Sequence, residues 1–200
     1  MARKPKNAGE FLPDLNEIES EMSQVRSKGR FRQALKGTFG TFVVIAAIAV
    51  IIAFIFLPVV KITNGHNMEP GLQPGDIVLL MKTSKAEKGE VCAFYFNNKL
   101  LLRRVIAKEH DTIDIDEKGY VKVNGEFIDE EAYISEHALG QCDIEFPFHV
   151  PTGQIFVLGD NRDYALDSRA TNFGCIAQDE VYGKPLARIY PFNSLTWYGF

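Results

Sequence analysis

The sequence predicts a mostly β protein, with a single N-terminal transmembrane helix followed by an antiparallel β domain. Three observations point there. Residues 39–60 carry no charged side chain and are dominated by Val, Ile, Ala and Phe. From residue 61 onward, short runs rich in β-branched and aromatic residues alternate with turn signals. No stretch after residue 61 has the i, i+3, i+4, i+7 apolar spacing of a long amphipathic helix.

The chain of 200 residues, 46% of them hydrophobic, is long enough for one domain of ordinary size plus an appendage. Its net charge of −4 hides an asymmetry. Eight of the 22 Lys/Arg and five of the 26 Asp/Glu fall in residues 1–36, leaving fourteen against twenty-one in residues 61–200. So acidic a C-terminal part argues against nucleic acid as a partner.

Residues 1–36 read as a cytoplasmic segment. Asp14 through Val25 suit a helix, with Asp14 as N-cap and Glu17 completing a capping box. A basic run follows: Arg26, Lys28, Arg30, Arg32 and Lys36. Residues 37–60 read as the anchor. Its uncharged part, 22 residues at about 1.5 Å each, suffices to cross a hydrocarbon core of roughly 30 Å. A cleavable signal would have a shorter apolar region and a small-residue cleavage site; Phe56-Leu57-Pro58-Val59-Val60 offers none. The basic flank precedes the span, so the positive-inside rule puts the N-terminus in the cytoplasm and residues 61–200 outside, on a single-pass cell-membrane protein. Pro58 is placed to end or kink the helix.

In the β domain the expected strands are Ile77–Met81, Glu90–Phe96, Leu100–Ile106, Thr112–Asp116, Tyr120–Val123 and Glu126–Ile128. Asn97-Asn98 and Asn124-Gly125 are the expected hairpin turns. Cys92, Cys142 and Cys175 have no metal-ligand spacing and read as small hydrophobes. Neither metal nor cofactor is expected.

Chemistry concentrates after another strand-like run, Gln154–Leu158. Gly159-Asp160-Asn161-Arg162-Asp163 and then Asp167-Ser168-Arg169 alternate acids with arginines. A solvated turn could have this composition; the alternation also lets Arg162 and Arg169 find carboxylates locally and fix the loop by bidentate pairing. Two further stretches stand out: the Gly/Pro-rich Asn64–Asp76, directly after the anchor, and Leu102-Arg103-Arg104-Val105-Ile106.

Together these stretches resemble the type I signal peptidases, the S26 leader peptidase family. The Gly159–Arg169 stretch is similar to the family's last box. Gly65, Met68, Pro70, Leu72, Gly75 and Asp76 match the box Gly-x-Ser-Met-x-Pro-Thr-Leu and its continuation. Leu102–Ile106 looks like its Lys-Arg-Val-Ile strand, with Arg104 on the structural Arg. The resemblance implies a β-barrel-like outer domain with a groove for extended peptides, to which Gly65, Met68, Pro70, Arg104, Gly159, Asp160, Asn161, Arg162, Asp163, Asp167, Ser168 and Arg169 contribute structure.

It also implies a Ser nucleophile, a Lys base and an orienting Ser, but these fall on Asn67, Arg103 and Ala165. The box's Thr is Gly71. No catalytic position is intact, so the resemblance is to the non-catalytic, pilus-associated signal peptidase-like proteins of Gram-positive bacteria. It implies a membrane-anchored protein that binds exported polypeptides or pilin subunits and assists secretion or pilin assembly. A second reading is an active peptidase with rewired residues, for which His66, Ser84 and Ser168 are the candidates. A third is a membrane scaffold for one partner, presenting Phe146-Pro147-Phe148, Phe192, Trp197, Tyr198 and Phe200 as an apolar patch that could equally rest on lipid.

Overall fold

The computed structural model describes residues 37–198 apart from 54, 56 and 64. The expected helix Asp14–Val25, the basic run before the anchor, Asn64 and Phe200 lie outside the described residues. The chain divides after Ala53 into two compact units.

In the first, residues 37–53 are helical and exposed throughout. Thr41 Oγ1 donates to the Gly37 carbonyl one turn back at 3.0 Å. Among the described residues no helix is long and apolar enough to cross a membrane. The expected span of 37–60 is corrected at its C-terminal end, because Val59 and Val60 lie in a strand. The cause is Pro58, which cannot donate to a helical ladder and whose carbonyl instead accepts from Leu80 N–H at 2.9 Å.

Among the described residues the second unit holds twelve strands: β1 (Val59–Lys61), β2 (Ile77–Lys82), β3 (Val91–Phe96), β4 (Lys99–Ala107), β5 (Thr112–Ile115), β6 (Val121–Val123), β7 (Glu126–Phe127), β8 (Phe148–His149), β9 (Gln154–Leu158), β10 (Ile176–Ala177), β11 (Val181–Tyr190) and β12 (Thr196–Trp197). They form two antiparallel sheets. One has eight strands in the order β1-β2-β11-β3-β4-β9-β10, with β12 beside β11; the other runs β7-β6-β5-β8. The two antiparallel sheets agree with the mostly β domain that the sequence predicts. Asn97 and Asn98 (φ 48° and 59°) turn β3 into β4, and Asn124 (φ 55°) with Gly125 turns β6 into β7. Asn tolerates this left-handed region, which fixes both hairpins.

Strand β9 explains its own apolar run. Ile155 and Val157 face one core with Phe94, Val105 and Phe173, whereas Phe156 and Leu158 face another with Ile113 and Val121 from the smaller sheet. A strand buried on both faces needs no polar alternation, and burying each such side chain stabilises by about 1.5–3 kcal/mol. A third core sits on the other face of β2, β3 and β4, where Met68 and Leu72 pack on Val78, Leu80, Ala93 and Leu102. Phe146 and Phe148 are half-buried against the second core, which corrects their expected place in an exposed patch. Tyr198 likewise packs on the third core, while Phe192 and Trp197 are exposed. All three cysteines are free thiols. Burial pushes Cys92 up to about 12 and Cys175 to about 11.

Asp111 ties the loop before β3 to the smaller sheet. It accepts from Lys88 Nζ at 2.8 Å, from Asn124 Nδ2 at 2.7 Å and from the Lys108 N–H at 2.8 Å. Burial alone would raise this carboxyl, but those hydrogen bonds hold it below its usual value. A depressed folded-state pKa contributes stability that is present above the unfolded value, about 3.9, and lost as pH falls through the folded one. Asp111→Asn is therefore expected to lower the melting temperature at pH 7, with the gap to the native protein closing below about pH 4. Thermal scans over that range check it; a gap unchanged with pH would contradict it.

Candidate functional site

Strand β4 delivers two neighbouring arginines to opposite faces of the large sheet, as the two-residue pleat requires. Arg104 lies on the side of Leu102 and the third core. Its Nε and NH2 donate to Asp160 at 2.8 and 2.6 Å, NH1 donates to the Gly89 carbonyl, and the guanidinium sits 3.9 Å from the ring centre of Tyr133. Arg103, at the alternate position of the strand, is 3% exposed. Its Nε and NH2 donate to the Leu166 carbonyl at 3.0 and 2.7 Å, and NH1 donates to the Leu102 carbonyl at 2.6 Å. Burial pushes this guanidinium down to about 10, with the Asp167 carboxylate pulling the other way.

The loop after β9 is set by ion pairs. Asp167 accepts from Arg169 Nε and NH2, both at 2.8 Å, and from the Gly159 N–H at 2.9 Å. Arg169 also donates to the carbonyls of Leu139 (2.6 Å) and Arg162 (2.7 Å). The expected local partner of Arg162 is corrected: it forks onto Glu130, some thirty residues earlier, with NH1 at 3.0 Å from Oε2 and NH2 on Oε1. Asp160 pairs with Arg104 and Asp163 is exposed, because the tight turn at Gly159–Arg162 aims Arg162 inward, away from both acids. Its Nε bonds the Gly159 carbonyl. Glu130 sits in Asp129-Glu130-Glu131, a run indistinguishable from a solvated acidic turn. Only the need for a carboxylate opposite a buried Arg could have singled it out.

These pairs press two loops together at Gly159. A side chain there would come within 2.6 Å of the Asn67 carbonyl and 2.2 Å of Ala165 Cβ, so only Gly permits the approach. The Asn161 N–H completes the contact, donating to the Asn67 carbonyl at 3.1 Å. At Gly65, φ is 94° and a Cβ would strike Asn67 Nδ2 at 2.2 Å, so the Asn67 amide lies over Gly65. Met68 and Leu72 plug the third core, and Gly71 offers its carbonyl to Arg188 NH1 at 3.0 Å. Pro70 is an exposed turn residue beside them.

Thus Asn67, Arg103 and Ala165 converge. Asn67 and Ala165 meet at Gly159; Arg103 is bonded to the residue after Ala165. Asn67 and Arg103 also line one cavity of about 70 Å³, together with Lys61, Thr63, Gly65, Met68 and leucines of β4. No residue there supplies an ionised nucleophile. An Asn amide is a poor one, and a guanidinium with a pKa of about 10 is neutral in roughly one molecule in a thousand at pH 7.

The other candidates separate. Ser168 is 1% exposed and its Oγ accepts the Val157 N–H at 3.0 Å, a structural bond that removes it as a free nucleophile. Ser84 is exposed on the loop between β2 and β3. His66 is exposed, with Nδ1 at 2.7 Å from Glu69 Oε1 and its ring edge-on to Tyr164. Among the described residues no group of His, Cys, Asp and Glu could hold a metal ion.

Removing Glu130 would leave Arg162 buried and unpaired. Glu130→Ala is expected to destabilise the domain by about 3–5 kcal/mol, whereas Glu87→Ala, which breaks an exposed pair with Lys108, should change stability by less than about 1 kcal/mol. Denaturant titrations of both variants check this. Equal losses would mean that the buried pair does not anchor the loop.

The family model described as signal peptidase, peptidase S26, matches residues 35–190. Signal peptidase IB of Staphylococcus aureus (strain MRSA252) is 32% identical over 179 residues, covering 78% of this chain and 92% of that protein. Thylakoidal processing peptidase 1, chloroplastic, of Arabidopsis thaliana is 28% identical over 147 residues, covering 65% of this chain and 41% of that protein. A crystal structure of a signal peptidase I from Enterococcus faecalis V583 superposes with a TM-score of 0.41 at 26% identity, over 50% of this chain and 96% of that one. By the extent of the family match and the identity to the staphylococcal enzyme, the chain belongs to the signal peptidase S26 family.

Proposed function

We propose that this protein is a membrane-anchored member of the family that no longer hydrolyses peptides. It binds extended polypeptide segments at the outer membrane face and assists secretion or pilin assembly, with exported polypeptides or pilin subunits as partners. The observation that carries the reading is the convergence of Asn67, Arg103 and Ala165. Catalysis by a dyad needs a hydroxyl that a neutral amine can deprotonate. Here the nucleophile position holds an amide, the base position a protonated guanidinium whose donors rest on carbonyls, and the orienting position a methyl group. The surrounding scaffold of paired arginines is intact, which suits retention of a binding groove after loss of chemistry. Extended segments would add to exposed strand edges by main-chain hydrogen bonding.

Anchoring rests on the helix at 37–53, uncharged and bearing exposed Phe39, Phe42, Ile45, Ile48 and Ile51, an apolar surface that water would not tolerate. The basic flank before it orients the N-terminus to the cytoplasm. Protease added to intact cells is expected to degrade the domain after Lys61; protection until lysis would overturn the topology.

A second reading has one observation in its favour. His66, held through Nδ1 by Glu69, keeps Nε2 available, the arrangement of a base oriented by a carboxylate. It lacks a nucleophile: no Ser, Thr or Cys side chain is bonded to it among the described residues.

Cleavage of a preprotein in detergent micelles separates the readings. The native chain is expected to be inactive, and Asn67→Ser with Arg103→Lys is the minimum for recovery. Ala165→Ser is expected to add at least about tenfold by orienting the new Lys. Native cleavage at an Ala-x-Ala site that disappears in His66→Ala would establish the rewired peptidase instead.

A further inference from the structure

Four arginines surround the candidate site, and three are neutralised. Arg104 faces Asp160, Arg162 faces Glu130 and Arg169 faces Asp167. Arg103 differs. It is 3% exposed and has no ion pair among the described residues; three of its five N–H groups are taken by the Leu166 and Leu102 carbonyls. Asp167, the nearest acid by its effect on Arg103, is already forked onto Arg169. One positive charge is therefore left buried without a counter-ion, an arrangement that costs stability and favours an incoming anion.

The cavity that Arg103 lines matches that deficit. Among the described residues, Lys61 and Arg103 are its charged residues and no acid lines it, while the Asn67 amide and Thr63 supply polar groups beside apolar ones. At about 70 Å³ it admits a small head group and not a length of chain. Arginine is suited to planar two-oxygen anions, and an apolar wall beside it suits an anion carried on small side chains. We propose that this cavity is a carboxylate-binding subsite in which Arg103 and the Asn67 amide receive the carboxylate of an extended peptide. The inference rests on the peptide-binding reading above and names what that groove selects. A lysine at position 103, neutral as a dyad base must be, would not create this preference. The substitution that removes the base thus creates the anion site.

The test uses the full chain in detergent micelles and three fluorescein-labelled peptides read by anisotropy. One ends in Ala-Gln-Ala with a free carboxylate, the second is its C-terminal amide, and the third is the amide with Asp as the last residue. The free acid is expected to bind at least about tenfold more tightly than its amide, and acetate should displace it. If the Asp peptide matches the acid, the carboxylate can come from a side chain; if it matches the amide, the subsite takes chain termini. Arg103→Gln should bring acid and amide to within about twofold, and Arg103→Lys, whose amine is neutral in this apolar setting, should do the same. Should Arg103→Gln fail to fold, the acid–amide ratio and acetate competition on the native protein decide. Acid and amide binding equally would overturn the subsite and leave the peptide-binding reading standing. Binding of none of the three would overturn both. Tighter binding of the amide by Arg103→Gln would show the guanidinium to be a plug.

Discussion

Three buried guanidinium–carboxylate pairs fix the Gly159–Arg169 loop, and the rest of the site depends on them. Taking such charges from water is expensive, and the cost is recovered only where geometry is close and remaining donors find acceptors. Arg169 meets that condition with two bonds to Asp167 and two to carbonyls. Arg162 meets it by forking onto Glu130 and reaching back to Gly159. Because Arg104–Asp160 and Arg162–Glu130 tie segments distant in sequence, their satisfaction is conditional on one arrangement of the loops. That arrangement brings Gly159 against Asn67.

Strand β4 shows how scaffold and chemistry separate at neighbouring positions. Arg104 belongs to the scaffold: its fork on Asp160 joins β4 to the loop after β9, where the charge is spent on structure. Arg103, one residue earlier and on the opposite face, is tied by no acid. Its side chain reaches the Leu166 carbonyl past Ala165, and Ala165 has its methyl against Gly159. A Ser at 165 would add a hydroxyl in this crowded corner, and a Lys at 103 would present a single ammonium where the guanidinium now spans two nitrogens. The two substitutions fit each other sterically and electrically, as does the Asn67 amide lying over Gly65.

Most strands were legible because they obey simple rules. The hairpins carry Asn at left-handed positions, and the doubly buried β9 reads as a continuous apolar run. What was illegible depends on pairing that no local pattern encodes. Strands β8, β10 and β12 have two residues each and exist only because a neighbour offers a ladder. Val59 and Val60 look like the end of an apolar helix and become β1 because Pro58 releases the chain to pair with β2. The arginines of the last box were legible as a rigid loop, but Glu130 was not, since a carboxylate in an acidic turn declares no partner. Asn67, Arg103 and Ala165 were legible as three positions; that they meet is a property of the fold alone.

The same separation sets the scaffold's ion pairs apart from positions 67, 103 and 165. Loop rigidity comes from Asp160, Glu130 and Asp167 with their arginines, none of which would accept or donate the reacting proton. Positions 67 and 103 add to this only through main-chain contacts of the loop, the Asn161 N–H on the Asn67 carbonyl and the Arg103 guanidinium on the Leu166 carbonyl. What changes is the electrical character of the pocket. A dyad lysine works by being neutral in an apolar setting, whereas Arg103 stays charged in that same setting. The burial that would lower a lysine to a useful base leaves Arg103 a cation with no ion pair among the described residues.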